Sequence, residues 1–287
     1  MFYSVQDIID QAKNYESVAE LMIATEIELT GRSREDVIAL MERNLEVMKE
    51  SIDEGLKGAK SVTGLTGGDA KKMNDYLDSG KFLSGETILK AVRNGIAVNE
   101  VNAQMGLICA TPTAGSAGCV PGVLFAAVER LGLTHKQQVD FLFTAGAFGL
   151  VMANNASISG AEGGCQAEVG SASAMASAAL VIANGGDATM ASHALAITLK
   201  NHMGLICDPV AGLVEVPCVK RNALGTSQAF ISADMALAGI QSIIPADEVI
   251  ICMYQVGKAM PSAFRETAEG GLAATPTGKK LMEKIFG

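Results

Sequence analysis

A chain of 287 residues with 49% apolar residues can bury a sizeable core, as one large domain or two smaller ones. Its net charge of −9 argues against nucleic acid as a partner, because neutralising phosphates needs a basic surface. Aromatics make up only 5% and Trp is absent, so Ala, Val, Ile, Leu and Met carry much of the apolar fraction, which suits closely packed helices more than an aromatic-rich sandwich.

The start, Met1 to Asp7, lacks a basic stretch followed by an apolar run, so no secretory signal is expected. Residues 1–60 carry many charges and repeat apolar positions at helical spacing: Ile23 with Ile27, then Val37, Leu40, Met41, Leu45 and Met48. This predicts two or three amphipathic helices, with Asp7 and Ser33 as N-caps and Ser33 with Asp36 as a weak capping signature. The glycine-rich run Val62 to Asp69 breaks the pattern, and Ser84-Gly-Glu-Thr-Ile88 starts another helix.

Residues 61–287 read as one continuous, mostly all-α catalytic domain, rich in Gly and Ala. Helices are expected over about 87–106, 121–132, 135–155, 165–184, 187–203, 217–242 and 246–260, joined by glycine-rich loops. Residues 171–180 have small side chains on every face and should form a central helix. Gly204 to Val216 is the best candidate for an extended segment. The least polar stretches, Phe141 to Ile158 and Ser171 to Ala183, are interrupted by Asn154 and Asn155 or are too short to span a bilayer, so no membrane contact is expected. A cytoplasmic location follows, where the six cysteines are more at home as thiols or metal ligands than as disulfides.

Three of those cysteines, Cys165, Cys207 and Cys218, sit at small-residue loops leading into apolar stretches. Three thiols on separate segments can converge on one soft metal centre with an open coordination position. No Cys-x-x-Cys pair occurs, so spacing leaves metal ligation and core packing both open. Helix starts at Cys165 and at Pro217-Cys218 would favour thiolates, and sulfur ligation from loops suits an iron–sulfur cluster or zinc. Cys109, Cys119 and Cys252 read as packing residues, Cys252 within the apolar run Val249 to Tyr254.

The loop Thr111 to Gly118 offers hydroxyls and backbone N–H groups just before a helix near Pro121. Composition alone weighs an anion site and an ordinary turn equally. Of the three histidines, His135 should be exposed, and His193 and His202 fall on opposite faces of one helix. His202, just before the Cys207 loop, is a weak catalytic candidate. Asn154, Asn155 and Asp208 have capping or turn readings equal to site-lining ones. Lys258 has no phosphate-cup signature around it, so pyridoxal phosphate is not expected.

From about Thr111 to Lys280 the chain resembles the alpha chain of bacterial iron–sulfur L-serine dehydratase. The matching segments are Thr111 to Gly118, Glu162 to Ser171, Cys207 to Cys218 and Glu266 to Leu272. The resemblance implies a [4Fe–4S] cluster held by Cys165, Cys207 and Cys218, with L-serine as substrate and a separate beta chain as partner. It favours substrate binding by Thr111, Thr113, Gly115 and Ser116. It also implies β-elimination of L-serine to pyruvate and ammonia at an iron left open by the three-cysteine ligand set, a step in serine catabolism and gluconeogenesis. In some single-chain members a C-terminal cysteine covers that iron. This chain ends at Ile285-Phe286-Gly287, so such self-blocking is not expected. The catalytic base is not legible here and is open to supply by the beta chain. An L-cysteine desulfidase and a non-catalytic metal-binding scaffold subunit are the rival readings.

Overall fold

Ser4 opens the first helix of the computed structural model, which describes residues 1–287. Its hydroxyl accepts the Asp7 N–H at 2.9 Å and the Asp7 carboxylate returns to the Ser4 N–H at 3.1 Å. This capping box makes Ser4 the N-cap and Asp7 the third residue of the first turn, which corrects the expectation for Asp7. Helix α1 (Val5–Ala12) is followed by α2 (Val18–Thr30) and α3 (Arg34–Leu56), the last capped by Ser33 as expected. On α3, Val37, Leu45 and Met48 are buried, whereas Leu40 points to solvent.

Helix α4 (Asp69–Asp78) has no counterpart in the sequence reading, because its cap is not local. Gly68 has no side chain to offer. The carboxylate of Glu100, on the next helix α5 (Glu86–Ala103), accepts the N–H groups of Asp69 and Ala70 at 2.7 and 3.2 Å instead. Then come α6 (Cys119–Leu131), α7 (His135–Asn155) and the single turn α8 (Gly160–Gly163). A π-helical turn, Gln166–Gly170, runs into α9 (Ser171–Ala183). Helices α10 (Ala188–His202), α11 (Cys218–Leu237), α12 (Ala246–Ala259) and α13 (Pro276–Phe286) complete the chain.

The fold is all-α. Its only β-type pairings are two isolated bridges, Lys60 with Gly67 and Cys207 with Arg265. The segment expected to be extended, Gly204 to Val216, contributes Cys207 to the second bridge and otherwise turns through Val210–Gly212.

Helix α9 stands at the centre, packed by α6, α7, α10 and α11, with every residue from Ser171 to Val181 buried. Its small side chains let α11 come close: Ser173 donates to the Gly225 carbonyl at 2.6 Å. A Cβ on Gly225 would lie 2.5 Å from Cys119 Sγ. The apolar core runs continuously from Val5, Ile8 and Leu21 through Phe148 and Leu195 to Ile250, so the N-terminal helices share it with the rest of the chain. Full burial of a side chain such as Phe148 contributes about 2 kcal/mol to stability. No helix is long and apolar enough to cross a membrane.

Candidate active site

Cys165 follows Gly164, whose φ of 75° and close neighbours demand glycine; a Cβ there would meet Met260 at 2.8 Å and the Leu205 carbonyl at 2.9 Å. The next residue, Gln166, ties this turn to the Cys207 segment. Its backbone N–H donates to Leu205 O at 2.9 Å, and its side-chain oxygen accepts the Gly204 N–H at 2.8 Å. Cys207 is held in turn by its bridge to the strap after α12, donating to Phe264 O and accepting from Glu266 N, both at 2.8 Å. Cys218 is the first residue of α11, directly after Pro217. The three expected ligands thus come together from three separate segments, all of them free and buried.

Burial pushes the Cys165 thiol up to about 12, and raises Cys207 and Cys218 as well. Cys165 acts on both other thiols, and Cys218 acts on Cys207, because a negative charge on one disfavours the next. They are neutral near pH 7 and would release protons on taking up a metal. No three His, Cys, Asp or Glu side chains close tightly enough to chelate a single ion.

The Thr111 to Gly118 loop meets this cluster through Glu168, on the π-turn. Thr113 Oγ1 donates to Glu168 Oε1, and the Gly115 N–H donates to the same carboxylate. A Cβ on Gly115 would stand 2.5 Å from Glu168 Oε1, so only glycine admits this approach. Ser116 is fully buried, with its hydroxyl 3.1 Å from Thr113 Oγ1. Two buried amides hold the loop from behind: Asn99 and Asn222 donate to the Gly115 carbonyl at 3.0 and 2.7 Å. Thr111 Oγ1 is buried and has no partner.

Burial raises the Glu168 carboxyl and the nearby Glu266 charge adds to the rise, against the opposing hydrogen bonds from Thr113 and Gly115. A methyl placed on Gly160 would lie 3.0 Å from Cys207 Sγ, 3.2 Å from Glu168 Oε2 and 3.3 Å from Glu266 Oε2. One thiol and two carboxylates therefore close in on Gly160, leaving no room for a side chain there.

Other candidates lie elsewhere. His202 packs on Gly170, its Nδ1 bonded to Thr198 O at 2.9 Å and its Nε2 buried without a partner; burial lowers its pKa. His135 is exposed beside Glu42, and His193 accepts the Ser242 N–H. Asn155 donates to Tyr3 O and Val151 O, Asn154 is exposed, and Lys258 lies over the Tyr254 ring. Asp208 is buried and accepts the Leu272 N–H at 2.7 Å.

Cys119 is fully buried beside Cys165 and Cys207, and Cys109 is half-buried. Cys252 departs from expectation and is exposed: α12 turns Val249, Ile250, Met253 and Gly257 inward, and Cys252 falls on the opposite face. Glu168, Glu266, Asn99, Asn222 and Arg221 were not singled out in the sequence. The signal for Glu168 and Glu266 was their place inside the matched segments, and for Arg221 its position one helical turn after Cys218.

Acids, amides and thiols gathered in the buried interior of a helical scaffold mark this region as the candidate active site. More particularly, the chain belongs to the serine dehydratase alpha chain family, whose model matches residues 13–273. It is 61% identical over 288 residues to the probable L-serine dehydratase alpha chain of Bacillus subtilis, covering 100% of this chain and 96% of the relative. The L-serine dehydratase alpha chain of Peptoniphilus asaccharolyticus is 43% identical, with 98% and 97% covered. The L-serine dehydratase of Helicobacter pylori is 35% identical over 96% of this chain but only 62% of its own length.

Proposed function

We propose that this chain is the alpha subunit of a cytoplasmic iron–sulfur L-serine dehydratase that converts L-serine to pyruvate and ammonia. The observation carrying this reading is the convergence of Cys165, Cys207 and Cys218, free and buried, beside the carboxylates that close on Gly160. An all-sulfur donor set from loops suits an iron–sulfur cluster or zinc, and the family resemblance favours the cluster. When bound, the cluster would supply a Lewis acid that makes the serine hydroxyl a better leaving group.

The chain's own residues supply binding and orientation. Thr111 Oγ1 is the donor left free for the substrate carboxylate, on a turn shaped by Thr113, Gly115 and Ser116. Glu168 and Glu266 come together beside Cys207 and Gly160, and paired carboxylates suit the substrate's α-ammonium group. His202 packs on Gly170, and Glu168 is already bonded to Thr113 and Gly115. No side chain of this chain is assigned the α-proton, and a beta chain is proposed to supply the base. Loss of that proton and of water gives aminoacrylate, which tautomerises to the imine and hydrolyses to pyruvate and ammonia. Support for the partner comes from the alpha-chain names of the relatives and from the longer Helicobacter pylori enzyme, of which this chain spans 62%.

Anaerobic reconstitution with iron and sulfide, followed by assays with and without the beta chain, tests the reading. Serine turnover only in the two-chain sample, with iron and sulfide bound, is expected. Turnover of cysteine in preference to serine would make the enzyme a desulfidase. No turnover in either sample would leave a metal-binding scaffold.

A further inference from the structure

Arg221 ties the Cys218 segment to the Cys207 segment, and its charge acts on Cys165. It lies on the first turn of α11, three residues after Cys218, so its own backbone belongs to the Cys218 segment. Its Nη1 donates to the Ile206 carbonyl at 2.8 Å, and its Nη2 pairs with Asp208 Oδ1 at 2.7 Å. Ile206 and Asp208 are the two neighbours of Cys207. The charge of the same guanidinium also acts on the thiol of Cys165 and favours its ionised form. The hold extends further, because Asp208 Oδ2 accepts the Leu272 N–H at 2.7 Å. A Cβ on Gly271 would lie 2.3 Å from that oxygen, so the strap after Glu266 is drawn against Asp208 as well.

Desolvating a guanidinium is costly unless its donors are used, and this side chain is only 14% exposed while Asp208 is 2% exposed. With one carboxylate as counter-ion, the pair is neutral. The thiols beside it are neutral too, until a metal displaces their protons and leaves thiolates. Among the groups that act on Cys165 and Cys218, Arg221 is the cation, whereas Glu168 and the other thiols oppose charge there. A planar fork reaching an acceptor in two directions is also something a lysine cannot copy.

We propose that Arg221 is the positioning residue of the three-cysteine site: it holds the cysteine segments in register and offsets the negative charge of the sulfur-ligated group. The proposal rests on the three cysteines acting as ligands. Its loss should empty and loosen the site without unfolding the chain, since the apolar core lies elsewhere.

The test uses the full chain with Arg221→Gln, which removes the charge, and Arg221→Lys, which keeps the charge but not the fork. Two readouts are taken. In the reconstituted protein, iron release to a chelator should be about tenfold faster for Arg221→Gln and intermediate for Arg221→Lys, with a changed visible spectrum, as expected for a lost partner of a metal ligand. In the metal-free protein, alkylation of Cys165 and Cys207 should also quicken about tenfold in Arg221→Gln, while exposed Cys252 keeps its wild-type rate as an internal control. Metal-free wild type and variants should melt within a few degrees of each other. Wild-type iron retention or wild-type alkylation in Arg221→Gln would overturn the proposal. So would melting of both metal-free variants far below wild type, which would make Arg221 an ordinary structural residue. A wild-type chain that takes up no iron or sulfide would count against the iron–sulfur reading, while alkylation would still decide the role of Arg221.

Discussion

Thr113 donates its hydroxyl hydrogen bond to the buried carboxylate of Glu168. A turn whose hydroxyls and N–H groups suit an anion thus already carries one of the chain's own, and the Gly115 N–H is drawn to it too. The consequence for substrate is a division of labour. On the proposed reading, Thr111 Oγ1, buried without a partner, is left for an incoming carboxylate, while Glu168 turns its second oxygen toward Gly160.

Replacing Glu168 by Gln keeps an oxygen for Thr113 and Gly115 but removes the charge. Serine kcat/KM should fall by about 100-fold, with KM rising, while iron content stays at the wild-type level. Steady-state kinetics beside metal analysis checks this. Unchanged kinetics in a fully loaded Glu168→Gln enzyme would show that the carboxylate does not meet substrate.

Cysteine replacement separates the ligands from the bystander. Cys165→Ala, Cys207→Ala and Cys218→Ala should each lose the brown colour of a cluster and all turnover. Cys252→Ala should keep both, because that side chain is exposed on the far face of α12. A full cluster in Cys207→Ala protein would sink the ligand assignment.

On the proposed reading, three cysteine ligands on a four-iron cluster leave one iron for substrate, and an iron without a thiolate is vulnerable to oxygen. Activity should decay in air as iron is lost, return with ferrous iron and a reductant, and decay more slowly with serine present. Timed assays with iron counts measure all three. Indefinite aerobic activity, or no protection by saturating serine, would contradict an open iron.

Glu100 gives a stability prediction independent of the site. Its carboxylate accepts two N–H groups at the start of α4, so Glu100→Ala should cost about 1–3 kcal/mol in denaturant melts. Glu100→Gln should cost less. Burial raises the Glu100 carboxyl above its ordinary value of 4.5. A raised folded-state value means that its contribution is fullest below 4.5 and is lost as pH rises through the folded value. As pH rises from 4.5 toward the folded value, the wild-type stability curve should fall more steeply than the Glu100→Gln curve. Parallel curves would show that the buried carboxyl does not titrate on folding.

Periodicity located α2 and α3, and apolar runs between glycine-rich loops located α5, α6, α7, α9, α10, α11 and α12, because each buries a long stretch that marks the sequence. Helix α4 escaped because the group that starts it lies on α5, about thirty residues further on, where no local pattern can point to it. The single turn α8 and the mostly exposed α13 escaped for want of a buried stripe. In the site, the three cysteines were legible through the segments around them. The residues that join those segments were not. Asn99, Asn222 and Arg221 act through backbone carbonyls and partners distant in sequence, and an amide or cation on a helix looks the same whether it faces solvent or a loop. Cys252 misled for a simpler reason: an apolar run says that a helix is partly buried, not which residue turns away.

Helix α9 has no side chain larger than Met175 between Ser171 and Ala179, so four neighbouring helices rest almost on its backbone. Enlarging any of its residues pushes at least one neighbour, and the turn bearing Cys165 rides on the same rod. The floor of the site therefore has no slack to be reshaped one substitution at a time. Any drift toward another substrate must travel through the overhanging loops 111–118, 204–217 and 266–272, where outer side chains can change while the rod stays as it is.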